Sequence, residues 1–122
     1  MVEIEWNGKT YEVDPEQRVF VLEEEPKAIL MYMPGLPFPT LIRVSGPHPV
    51  WHWNGDVYAP TFSPSILTQI PWGEEMREIR NHVFVRNGAI EYLHDCSHEY
   101  AGKTIQLPRL SEWPEDMRLW EE

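Results

Sequence analysis

HVFVRNGAIEYLHDCSH, residues 82–98, decides the fold. Apolar and polar side chains alternate from His82 to Arg86, Asn87-Gly88 supplies the residue pair that a tight type I′ turn needs, and Ala89 to Leu93 resumes the alternation. These residues predict a β-hairpin. With Asn87 and Gly88 as the loop, Arg86 pairs with Ala89, Phe84 with Glu91 and His82 with Leu93. Asp95 then falls on the face of His82, and His94 faces the other way. A slip of one residue would reverse every assignment.

Working outward, the same device recurs. VEIEWNGKTYEV, residues 2–13, reads as a hairpin turning at Asn7-Gly8, and VWHWNGDVY, residues 50–58, as another turning at Asn54-Gly55 between aromatic strands. VFVL (19–22), TLIRV (40–44) and TIQL (104–107) read as short strands. AILMYM, residues 28–33, fits a buried strand, with a short helix as the alternative because six apolar residues carry no period.

Prolines divide these segments. PGLPFP, residues 34–39, cannot continue a central strand because its prolines remove ladder donors. PTFSPSILTQIPW, residues 60–72, reads as a rigid connector that holds Ser63 and Ser65 beside a strand, and GEEMREIR, residues 73–80, as a polar interval with a helical turn. Ser111 is placed to cap a short terminal helix in which Met117 and Trp120 share a face and the acidic last pair opposes the helix dipole. The expected architecture is mainly β, or α+β with a small helical component, as one compact domain over residues 1–122 built from short antiparallel hairpins.

Charge narrows the function classes. Ten Lys and Arg against 20 Asp and Glu give a net charge of −10, which opposes a groove for a nucleic-acid backbone but not a protein partner. Cys96 is the single cysteine, the start carries no signal-peptide pattern, and no apolar run approaches the length that spans a bilayer. A reducing cytoplasmic setting is expected, in a bacterial cell or a phage-infected host, with no membrane partner.

Three chemistries compete for the polar residues. His82, Asp95, Cys96 and His98 are all residue types that bind zinc, although their spacing is not that of a finger. Cys96 beside a histidine could act as a nucleophile, but no elbow or oxyanion pattern accompanies it. Ser65 with His82 as base and Asp95 as orienter is the third, supported by the register that turns Asp95 toward His82. The blander reading makes Cys96 core and leaves the histidines to structural hydrogen bonds.

The string WxWNG, PTFSPSI, HxFxRNGxIxxLxDCxH and AG, spread over approximately residues 30–107, resembles a poorly characterised group of phage and bacterial proteins. Some of these are labelled ammonia monooxygenase, and others accompany bacterial ubiquitin-like operons as the component BubE. The resemblance implies a serine peptidase acting on a small modifier, with Ser65 and His82 as the matched pair and Asp95, Cys96 and His98 downstream. Many relatives look as though they carry a Cys-Pro-x-Cys knuckle where this chain has Met33-Pro34-Gly35-Leu36, and a further cysteine where it has Asn81. A structural zinc therefore transfers poorly to this chain.

The combined expectation is a serine hydrolase or peptidase acting on a peptide or ubiquitin-like modifier bond. Its catalytic residues are Ser65, His82 and Asp95, with Trp51, Trp53, Phe62, Cys96 and His98 around the pocket. No cofactor is favoured, and zinc on His82, Asp95, Cys96 and His98 is the alternative. A non-enzymatic phage or bacterial accessory domain that binds a protein partner is the other rival.

Overall fold

The computed structural model describes residues 1–118. Its strands are β1 (Val2–Trp6), β2 (Lys9–Val13), β3 (Phe20–Leu22), β4 (Ala28–Met31), β5 (Thr40–Arg43), β6 (His52–Trp53), β7 (Phe62–Trp72), β8 (Arg77–Arg86), β9 (Ala89–Tyr92) and β10 (Thr104–Gln106). They form a β1-β2 pair, a three-stranded sheet in the order β3-β4-β5 and a five-stranded sheet in the order β10-β9-β8-β7-β6, with every pairing antiparallel. The fold is mainly β. Helical structure among the described residues is limited to 3-10 turns at Leu110–Glu112 and Glu115–Met117, and no helix is long and apolar enough to cross a membrane.

Burial explains why β4 has no sequence period. Ile29 and Met31 enter a core that also contains Ile42, Phe62, Val83, Val85 and Ile90. Leu30 enters a second core with Ile4, Phe20, Leu110 and Trp113. Both faces are covered, so AILM is a strand that is apolar throughout. The opening hairpin keeps its expected register: Arg86 pairs with Ala89 and Phe84 with Glu91, and Leu93 N–H donates to the His82 carbonyl at 2.9 Å. Asn87 and Gly88 both have positive φ, as the turn requires.

Four expectations change. The Asn54-Gly55 segment is not a two-residue hairpin, because Trp53 pairs with Phe62 and His52 with Ser63. The Asn54 carboxamide oxygen accepts from the amides of Asp56 and Thr61 and closes a longer loop instead. Residues 60–72 are not merely a connector, since Phe62–Trp72 is a strand whose ladder is interrupted around Pro64. Residues 77–80 are strand rather than helical turn: cross-strand pairing to β7 runs from Trp72↔Arg77 onward and overrides the polar composition. Finally, Ser111 lies inside a 3-10 turn, whose start is closed by Arg109 N–H donating to the Glu112 carboxylate at 2.9 Å. The expected Met117–Trp120 face and acidic final pair extend outside the described residues.

Candidate active site

The interruption in β7 positions Ser65. Phe62 pairs with Val85 and Ile66 with Val83, so Ser63, Pro64 and Ser65 together oppose Phe84 alone. This bulge takes Ser65 out of the regular ladder and re-aims its side chain, a frequent role of bulges beside reactive sites. On the neighbouring strand, Leu67 is the cross-strand partner of His82. Ser65 reaches the imidazole diagonally, and its Oγ lies 3.1 Å from His82 Nε2.

The turn after β9 brings the third member. Cys96 N–H donates to the Leu93 carbonyl at 3.2 Å and Ser97 N–H to the Arg80 carbonyl at 2.9 Å, while Ser97 Oγ accepts from Arg80 N–H at 2.8 Å. These bonds carry Asp95 back over β8, where its Oδ2 lies 3.1 Å from His82 Nδ1. With Nδ1 donating to the carboxylate, Nε2 presents its lone pair to the serine hydroxyl. Ser65 is partly buried, and the His82 and Asp95 side chains retain 25 % and 43 % exposure, so the row opens to solvent.

Arg80 was not foreseen. Its Nε donates to the same Asp95 Oδ2 at 2.9 Å. The Arg80 guanidinium, and after it His82, holds the Asp95 carboxyl below the usual carboxylate range. Arg80 and His82 lie two positions apart on one strand face. Reading 77–86 as a continuous strand would have exposed the relationship, but the helical-turn reading concealed it.

Cys96 and His98 stand behind the row. Cys96 Sγ accepts from His82 N–H at 3.3 Å and donates to the His82 carbonyl at 3.4 Å. His98 Nε2 donates to Asn81 Oδ1 at 2.7 Å, and its Nδ1 accepts from Tyr100 N–H at 3.2 Å. Burial lowers the His98 pKa. Fully buried Asn81 donates onward to Met33 Sδ at 3.4 Å. Gly35 closes this cluster, since a Cβ there would stand 2.8 Å from the His98 ring.

The residues of the zinc alternative have separate partners. His82 meets Ser65 and Asp95, whereas Cys96 binds the His82 backbone and His98 binds Asn81. Among the described residues no group of three or more His, Cys, Asp or Glu side chains could hold a metal. The knuckle positions do converge, with Met33, Leu36 and Asn81 buried and His98 hydrogen-bonded to Asn81. A thioether, an alkyl group and an amide supply no thiolate, so this donor set does not fit structural zinc.

A cleft of about 570 Å³ opens beside the bulge. Lys27, Val44, Val50, Trp51, Trp53 and Ser63 line it. Trp51 Nε1 donates to the Ser65 carbonyl at 3.2 Å, linking the cleft wall to the bulge. Phe62 is 2 % exposed and supports Trp53 from the core by stacking at 6.3 Å.

A family model described as "Bacterial ubiquitination-like system serine protease (BubE)" matches residues 6–93. The chain belongs to the BubE family. The matched span includes Ser65 and His82 and ends before Asp95, so the BubE match begins nearer the start than the motif region at 30–107 and stops sooner. Neither the curated proteins nor the solved structures include a match.

Proposed function

We propose that this BubE-family protein is a serine peptidase that cleaves a peptide or isopeptide bond of a ubiquitin-like modifier. The observation that carries the reading is the continuous row in which Ser65 Oγ lies 3.1 Å from His82 Nε2 and His82 Nδ1 lies 3.1 Å from Asp95 Oδ2. The family description supports a protein substrate in a ubiquitin-like system. Ser65 is the nucleophile, His82 the general base and acid, and Asp95 the residue that fixes the imidazole tautomer.

In acylation, the Ser65 oxygen bonds to the scissile carbonyl carbon while its proton passes to His82 Nε2. The tetrahedral intermediate collapses with cleavage of the C–N bond, and His82 returns that proton to the leaving amine. Water then attacks the acyl-serine, giving a proton to His82. Collapse breaks the ester, releases the carboxylic acid and restores the proton to Ser65. Asp95 remains ionised and stabilises the transient imidazolium, and Arg80 holds the carboxylate in place.

The test compares wild type, Ser65→Ala and His82→Ala for labelling by a fluorophosphonate and for turnover of ubiquitin-like precursors. Wild type is expected to be labelled at Ser65 and to process a precursor, with both variants losing turnover. Equal labelling and turnover in all three proteins would reject these roles.

A further inference from the structure

The residue paired with the general base is an exposed leucine. Leu67 of β7 lies directly across the ladder from His82 of β8, and cross-strand partners share a face, with their Cβ atoms about 5 Å apart. On the adjacent rung Ile66 and Val83 are buried in the core, so Leu67 and His82 point the other way, onto the face that carries the row. Leu67 is 46 % exposed there. The other large apolar side chains exposed among the described residues stand elsewhere. Trp72 and Met76 are at the far turn of the β7-β8 ribbon, and Met1, Leu41 and Tyr58 lie outside both strands.

Proton transfer decides which part of a substrate meets this leucine. His82 Nε2 takes the Ser65 proton across 3.1 Å and gives it to the leaving nitrogen as the C–N bond breaks. That nitrogen therefore sits on the imidazole side of Ser65 Oγ. Leu67 lies in the same direction, since it follows Ser65 by two positions along β7, about 7 Å, and stands opposite His82. A carbon chain borne by the leaving nitrogen thus passes over Leu67, and the acyl half of the substrate extends away from it.

We propose that Leu67 is a specificity-determining residue that receives an aliphatic chain attached to the leaving nitrogen. The proposal rests on the serine-peptidase reading and adds the chemistry of the leaving group. Two sources supply such a chain: the apolar side chain that follows a scissile peptide bond, or the methylenes of a lysine whose Nε forms an isopeptide bond. Either covers the exposed leucine and withdraws apolar area from water while the bond is cut.

The test uses the full chain and two pairs of substrates. One pair is a ubiquitin-like precursor with Leu or Ser directly after the scissile bond. The other is the same modifier joined to a peptide through a lysine Nε or through the side-chain amine of diaminopropionic acid, which has fewer methylenes. Within a pair, wild type is expected to favour the longer aliphatic chain by about 10-fold in kcat/KM, the scale of a small apolar contact. Leu67→Ser is expected to abolish that ratio and Leu67→Met to retain it, with an amide NMR spectrum otherwise like wild type showing that the fold persists. Loss of selectivity in one pair names the source of the chain. A ratio that Leu67→Ser leaves unaltered in both pairs overturns the proposal even where wild type turns the substrates over, and so does an equal slowing of every substrate, the mark of a merely structural role. Absence of wild-type turnover on all of them rejects the peptidase reading, and the assignment of Leu67 falls with it.

Discussion

The thiol of Cys96 holds both backbone groups of His82, with its Sγ 3.3 Å from the amide nitrogen and 3.4 Å from the carbonyl oxygen. The sulfur is thus a clasp between the turn carrying Asp95 and the strand carrying His82. Cys96→Ser is expected to keep the clasp and most turnover. Cys96→Val removes it, leaves the His82 amide without its sulfur partner and should destabilise the fold by about 1–3 kcal/mol. Thermal unfolding and precursor turnover check both outcomes.

Asp95 accepts from His82 and, among the described residues, is the carboxylate bonded to that ring. Asp95→Asn is predicted to lower kcat by roughly 10²–10⁴-fold, because a neutral amide neither enforces the required tautomer nor stabilises the imidazolium. Ser65→Ala combined with His82→Ala should be no slower than either single variant, as the two residues act as a unit. Single-turnover kinetics on a processed precursor measure these effects.

Arg80 and His82 both lower the Asp95 pKa. A carboxylate favoured in the folded state contributes stability above its unfolded pKa of about 3.9, and that contribution disappears as pH falls through the lower folded value. Arg80→Ala should raise the folded pKa toward the ordinary range. Carboxyl-carbon NMR titration is expected to show the shift. The difference in Tm between variant and wild type should be present at neutral pH and shrink in acid.

His98 responds in the opposite chemical sense but with the same direction along the pH axis. Its Nδ1 accepts the Tyr100 amide hydrogen, and burial disfavours the charged ring. The unfolded chain takes up a proton near pH 6.5 before the folded protein does, so stability falls as pH drops below about 6.5 and the loss levels off beneath the folded pKa. Thermal unfolding between pH 8 and 5 should show this decline. His98→Gln should flatten that part of the profile.

Asn81 is fully buried, with its amide shared between His98 and Met33. Asn81→Ala strands the His98 Nε2 hydrogen and is expected to cost about 1–3 kcal/mol. Denaturant unfolding of Asn81→Ala, His98→Gln and the double variant gives their coupling. Strict additivity would contradict the shared network.

Local sequence determined much of the mainly β fold. At Asn87-Gly88, turn chemistry and alternation specified the register to the residue, and that register already turned Asp95 toward His82. The same logic placed Asn7-Gly8 between paired β1 and β2. It failed at Asn54-Gly55, where side-chain oxygens close a longer loop and the partner strand begins at Phe62. It also failed at residues 77–80, because a polar strand in a two-stranded ribbon has no buried face to mark its period.

The Ser65–His82 pair shows where tertiary structure was decisive. The sequence and its family resemblance nominated both residues, but only the bulge opposite Phe84 brings Ser65 Oγ to 3.1 Å from the imidazole. Arg80 became visible at Asp95 only when β8 extended to Arg77 and Ser97 tied the following turn to its backbone. Periodicity and turn residues encode short-range geometry within a hairpin. The distance between side chains from different segments depends on ladder interruptions and packed turns, which cooperative folding determines across the whole domain.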